Sequence, residues 1–255
     1  KGLSPWMQKL PGGLIHVNVV GCALFAAISG SSAATVATVG KMSIPELRKR
    51  KYPEKILLGS LAGSGTLGLL IPPSIILIIY GVTVQESIAK LFIAGIIPGI
   101  MIALIFMSYV IIWSLINKSK MPKIHKTYSL LEKIKGSKQL MPVILLIIGV
   151  IGSIYTGVAT ATEAASLGVV GALVLSYFQN SLNVKTFKHS LLGATKTSCM
   201  IAFILAGSTF LSLAMGFTGL PRNLAIWIQS MDLSPYILIL VLMIFYIILG
   251  MFLDG

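Results

Sequence analysis

Residues 26–40 read "AAISGSSAATVATVG" and lie inside an apolar region of a 255-residue chain. Small hydroxyl residues and glycines crowd a stretch whose surroundings belong in lipid. Hydrocarbon offers no hydrogen bonds to loosened backbone, so a helix that breaks there must be buried in protein or line a polar cavity. What the rest of the chain builds around the break decides the fold.

The chain is 56% hydrophobic, with a mean hydropathy of +0.93. Apolar runs of about 18 residues or more mark membrane-spanning helices. Several such runs occur, so the expected class is an all-α polytopic membrane protein. The sequence opens at Lys1 without a methionine or a signal-peptide pattern and closes within the apolar "GMFLDG". A fragment is expected, with further helices beyond both ends.

The net charge is +13, and 13 of the 20 Lys and Arg fall in two segments. Residues 41–55, "KMSIPELRKRKYPEK", hold six, and residues 118–138, "KSKMPKIHKTYSLLEKIKGSK", hold seven. Nucleic-acid binding would place this charge on a folded polar face. Here it sits between apolar runs, which the positive-inside rule explains, so both segments are expected to be cytoplasmic. The second has room for an amphipathic helix on anionic headgroups. Cys22 and Cys199 lie in apolar segments without metal-ligand or disulfide spacing. His16, His125 and His189 are scattered, so neither a metal centre nor a nucleophilic triad has support, and no enzyme is expected.

A first span is expected over about 12–42, with residues 29–32 near its middle. A second, 56–80, contains "GSGTLGLLIPPS" (63–74). Its glycines at 59, 63, 65 and 68 and the Pro72-Pro73 pair argue against one regular helix. A third covers about 88–116, a fourth 140–155, and a fifth follows "YTGVATATEAA" to about Tyr177. Residues 194–230 are apolar but punctuated by "AGST" (206–209) and "GFTGLP" (216–221), which favours a re-entrant hairpin over one crossing. The last span starts at Pro235. A faint repeat pairs "PWMQKL" (5–10) with "IWIQSM" (226–231) and sets residues 29–31 opposite Leu253, Asp254 and Gly255. With the 194–230 hairpin, the two copies point in opposite directions, as in inverted-repeat transporters.

A broken helix frees carbonyls at one half's C-terminus and amides at the other half's N-terminus. The first end carries partial negative charge and the second partial positive charge, so a break suits a cation beside a carboxylate. Packing through small residues is the competing reading of "SGSSAAT". The second break at 63–74 tilts the balance toward ion and substrate contact. Ser29, Gly30, Ser31 and Ser32 are the leading candidates, with Gly65 and Thr66 facing them. Ser74 begins a half-helix and is placed to meet a carboxylate. Only Glu163 and Asp254 are acids well inside apolar runs, where charge is costly and usually functional. Asp254 is assigned to substrate or cation. Glu163 fits a capping box with Thr160. Arg222 suits an interfacial anchor, or attraction of an anion.

"SGSSAATVATVG", "RKRKYP", "GTLGLLIPPSIILIIYGV", "TATEAA" and "LGMFLDG" occur in the order found in one known family. The chain resembles the large membrane subunit of tripartite ATP-independent periplasmic (TRAP) transporters along essentially its whole length. Relative to that family, the first spans, the first hairpin and the break after the final acid are expected to be missing.

The resemblance implies an elevator-type transporter of the bacterial inner membrane, taking up an organic acid of the C4-dicarboxylate or sialic acid class with Na⁺ rather than ATP. A periplasmic substrate-binding protein and a small membrane subunit, separate or fused, are the implied partners. Motif matching puts Ser29, Ser31, Ser74 and Asp254 at the substrate. It puts Gly30, Ser32, Gly65, Thr66 and Gly68 at one sodium site, and Gly207, Ser208 and Thr209 at a second, beside the Asp254 break. Residues 1–85 and 191–255 then belong to the transport domain, and 86–190 to scaffold helices with a basic linker at 117–139. Another ion- or proton-coupled elevator or antiporter is the alternative within transport. A purely structural membrane subunit would tolerate substitution at the glycine breaks.

Overall fold

The computed structural model describes residues 2–122, 129–138 and 140–252, and every regular element in them is helical. Packing divides the chain into two units, Lys1–Leu175 and Ser176–Gly255.

The first unit opens with a short α1 (Ser4–Met7) and a 3₁₀ turn at Gly13–Ile15. α2 (His16–Ser29) follows, and after two residues α3 (Ser32–Lys49). These two helices are antiparallel. Leu14 clusters with Leu47 and Leu57, and Cys22 with Val39 and Leu61. Positions fall along α3 as they rise along α2, so the chain has reversed at 30–31. At the open end the Leu14 amide donates to the Tyr52 hydroxyl at 3.1 Å.

Residues 12–42 are therefore not one crossing with a gap at half depth, as the hydropathy suggested, but the larger part of a re-entrant hairpin. At about 1.5 Å per residue α2 reaches about 21 Å, short of a hydrocarbon core of roughly 30 Å. α3 also runs on to Lys49, so most of the first basic segment is helical rather than loop.

α4 (Glu54–Gly65), α5 (Leu67–Leu70) and α6 (Ile75–Val84) make one interrupted apolar passage. Gly59, Gly63 and Gly65 remain helical; the axis breaks at Thr66 and again at 71–74, where the prolines cannot donate to a helix ladder. α7 (Ile88–Ile116) runs back along this passage. Val110 packs on Ile56, Phe106 lies over Gly63, and Ile71 lies against Gly99.

α8 (Leu130–Ser137) is a short amphipathic helix in the second basic segment. Trp6 holds it, donating Nε1–H to Ser137 Oγ at 2.8 Å, with the Lys133 ammonium 5.3 Å from the Trp6 ring centre. α9 (Met141–Tyr155) and α10 (Ala161–Phe178) complete the unit, and Ile154 and Ala164 pack on Phe92. The capping box is formed: the Thr160 amide donates to Glu163 Oε2 at 2.8 Å, and the Glu163 amide to Thr160 Oγ1 at 3.3 Å.

In the second unit α11 (Val184–Thr218) is one helix of 35 residues. The turn expected at 206–209 is absent; the chain turns at Gly219, φ 69°, inside "GFTGLP". Alanine favours a helix and isolated Gly, Ser and Thr are tolerated in one, whereas a residue held in the left-handed region ends it. α12 (Leu220–Ser230) and α13 (Pro235–Phe252) follow. Five helical segments among the described residues are long and apolar enough to cross a membrane, so the chain is a multi-pass membrane protein.

Candidate cation and substrate site

The tip of the α2–α3 hairpin is built by two residues of opposite backbone habit. Gly30 caps α2 in the left-handed conformation, φ 58°, with its amide on the Ala26 carbonyl at 2.9 Å. Ser31 is extended, φ −133°, and caps α3 through its side chain, which accepts from the Ala34 amide at 3.4 Å. A left-handed residue followed by an extended one turns the chain back instead of merely kinking it.

The tip is stitched by hydroxyls. Thr35 Oγ1 donates to the Ser31 carbonyl at 2.7 Å and shares a 2.9 Å hydrogen bond with Ser29 Oγ. The Ser31 carbonyl also accepts from the Thr35 amide at 3.0 Å and from Ser29 Oγ at 3.3 Å. Thr35 is fully buried. Sequence reading passed over it because nothing local distinguishes it from Thr38; the signal lay in its spacing, one helical turn after Ser31.

The second break closes on the first. The Ile75 amide, at the start of α6, donates to the Gly30 carbonyl at 3.3 Å. A Cβ on Gly30 would lie 2.9 Å from the Pro73 carbonyl oxygen, and one on Gly68 would lie 2.8 Å from the Ser31 carbonyl. A Cβ on Gly65 would collide with Val36. Glycine is needed at 30 and 68 because one backbone passes directly over the other, and at 65 because the Val36 side chain fills the space. Ser29, Gly30, Ser31, Ser32, Gly65, Gly68 and Ser74 are thus brought together.

Two details differ from expectation. Ser74 is fully buried, but its hydroxyl donates to the Leu69 carbonyl at 2.6 Å rather than standing free at the mouth of α6. Thr66 turns its hydroxyl back on the Gly63 carbonyl at 2.7 Å. Below the tip, buried Asn18 donates to the Leu57 carbonyl at 3.2 Å and to Ser60 Oγ at 3.0 Å, pinning α2 to α4.

Among the described residues no three His, Cys, Asp or Glu side chains gather as a metal group. The junction offers a cation neutral oxygens alone: carbonyls at the end of α2 and the hydroxyls around it, the ligand type hard cations accept. The N-termini of α3 and α6 meet at the same junction and carry the positive ends of their helix dipoles. In the second unit Gly207, Ser208 and Thr209 stand on the exposed surface of α11. Asp254, with Leu253 and Gly255, lies outside the described residues.

Residues 7–255 match the family model "Tripartite ATP-independent periplasmic transporter, DctM component". The chain is 35% identical over 244 residues to the C4-dicarboxylate TRAP transporter large permease protein DctM of Pseudomonas aeruginosa, covering 95% of this chain and 56% of that protein. It is 33% identical over 249 residues to the sialic acid TRAP transporter large permease protein SiaM of Vibrio cholerae, covering 96% and 57%. It is 32% identical over 252 residues to the 2,3-diketo-L-gulonate TRAP transporter large permease protein YiaN of Escherichia coli, again covering 96% and 57%. The chain thus spans a little over half the length of these relatives, which are named as permeases and not as enzymes.

Proposed function

We propose, from the premise that this chain belongs to the DctM-component family of tripartite ATP-independent periplasmic transporters, that it forms part of a sodium-coupled importer of an organic acid. The observation that carries this reading is the nesting of two chain breaks, Gly30 against residues 73–75 and Gly68 against residues 31–32. Backbone polar groups freed inside a membrane-spanning fold are retained where they hold something.

In this reading the carbonyls ending α2, with Gly30, Ser32, Gly65, Thr66 and Gly68 around them, hold Na⁺. The N-termini of α3 and α6, with Ser29, Ser31 and Ser74, face the substrate carboxylate. Gly207, Ser208 and Thr209, with Asp254, serve a second ion and the substrate. The ties of Ser74 to Leu69 and of Ser29 to Thr35 are exchanged for ligand contacts during the cycle. The hairpin and the interrupted passage move together as an elevator. The C4-dicarboxylate, sialic acid and diketogulonate named for the relatives support an organic acid as the substrate class. The setting is the bacterial inner membrane, with a periplasmic binding protein delivering substrate and a small membrane subunit beside the scaffold.

The test uses the full-length permease with its partner subunits in proteoliposomes. Uptake of the acid bound by the cognate binding protein is expected under a Na⁺ gradient without a pH gradient. Ser29→Ala and Asp254→Asn are each expected to lower uptake at least about tenfold with assembly unchanged. Uptake that follows a pH gradient and ignores Na⁺ would assign the proton-coupled alternative.

A further inference from the structure

Away from the two breaks, a cleft of about 420 Å³ opens where the start of the hairpin meets the end of α7. Lys9 and Lys118 stand exposed on its walls, and Gly12, Gly13, Tyr52 and Ser114 line its interior. It lies where both basic segments meet the membrane: Tyr52 belongs to the first, and Lys118 opens the second.

Three features make the interior a receptor for an anion. Ser114 is 4% exposed, yet its hydroxyl has no hydrogen-bond partner. A buried helical serine ordinarily returns its proton to its own helix or finds another acceptor. The Tyr52 hydroxyl accepts from the Leu14 amide, and its own proton has no acceptor among the described residues. Burial pushes the Tyr52 phenol up from its ordinary range, so it remains a donor at neutral pH. Neither lysine has a carboxylate within ion-pair distance among the described residues.

The glycines give the two hydroxyls their place. A Cβ on Gly12 would lie 2.9 Å from Ser114 Oγ, and one on Gly13 would lie 2.6 Å from the Tyr52 oxygen. The remaining wall is apolar, with Leu115 and Met121 beside Lys118.

We infer that this cleft binds the phosphate of an anionic phospholipid from the cytoplasmic leaflet. Lys9 and Lys118 pair with its charge, the Ser114 and Tyr52 hydroxyls donate to its oxygens, and an acyl chain lies along Leu115 and Met121. Cationic groups at headgroup depth attract anionic lipid, each lysine adding to the affinity. The apolar wall favours a lipid over free phosphate, which has no chain to lay there.

Native mass spectrometry of the delipidated full-length permease decides this, with three probes: phosphatidylglycerol, phosphatidylcholine with the same acyl chains, and inorganic phosphate. The wild type is expected to hold one phosphatidylglycerol per copy in preference to phosphatidylcholine, undisturbed by equimolar phosphate. Lys9→Gln/Lys118→Gln is expected to weaken that binding about tenfold or more, and Ser114→Ala about threefold. Lys49→Gln/Lys55→Gln, which removes equal charge from the same surface outside the cleft, is expected to leave it unchanged. Equal loss in both double variants, undiminished binding in Lys9→Gln/Lys118→Gln, or displacement by inorganic phosphate would each overturn the assignment.

Discussion

Thr35 shows how much a single hydroxyl can order. Its Oγ1 sits between Ser29 and the Ser31 carbonyl, both 3 Å or less away. Removing a buried hydrogen-bonding group costs on the order of 1 kcal/mol net, and more when its partner is stranded. Thr35→Val should therefore lower the thermal midpoint of the purified permease and weaken Na⁺-dependent uptake, while Thr35→Ser restores both. The glycines make a sharper test, because space alone distinguishes them. An alanine at 68 would place a methyl 2.8 Å from the Ser31 carbonyl, whereas nothing lies within 4 Å of a Cβ at 59. Gly68→Ala should cost about 1–3 kcal/mol, the usual range for overpacking. Gly59→Ala should be neutral or slightly stabilising through helix propensity. Thermal unfolding followed by size-exclusion fluorescence reads both.

At the level of elements, the hairpin overturns an arrangement that hydropathy alone favoured. The apolar length of 12–42 matches one crossing, but α2 and α3 lie side by side with Leu14 against Leu47. The consequence is one of sidedness. Single cysteines at Pro11 and at Lys49, in a Cys22→Ala/Cys199→Ser background, should be labelled by an impermeant maleimide from the same face of the membrane. A single crossing would put them on opposite faces. α11 teaches the converse. Its "AGST" has the composition of a break and none of the geometry, since no Cβ contact lies within 4 Å of Gly207. Gly207→Ala is accordingly expected to leave folding intact, while Gly207→Pro, which removes a ladder hydrogen bond, is expected to reduce folded yield.

For the molecule as a whole, charge and hydrophobicity set orientation, and the helical order of the first unit makes that testable. Alkaline phosphatase fused after Lys51 or Lys120 should be inactive if the positive-inside rule orients both basic segments inward. Fused after Gln85 or Gly157, at the far ends of α6 and α9, it should be active. An active fusion after Lys51 would place the first basic segment outside and overturn this orientation.

Composition and pattern by themselves determined the class of this protein and the location of two departures from regular helix near 29–32 and 63–74. Those features are local: transfer energy and missing donors act on the residues that carry them. The capping box at Thr160 and Glu163 was legible for the same reason. Tertiary structure alone decided that the first departure reverses the chain, that Gly207 stays helical, and that Ser74 turns inward. The reversal rests on partners far away in sequence: Gly30 lies against Pro73 and Ile75, and Leu14 against Leu47 and Tyr52, whereas Ser74 is tied five residues back to Leu69 and nothing lies within 4 Å of a Cβ at Gly207. A glycine's spacing states that backbone can approach; only packing states which backbone does.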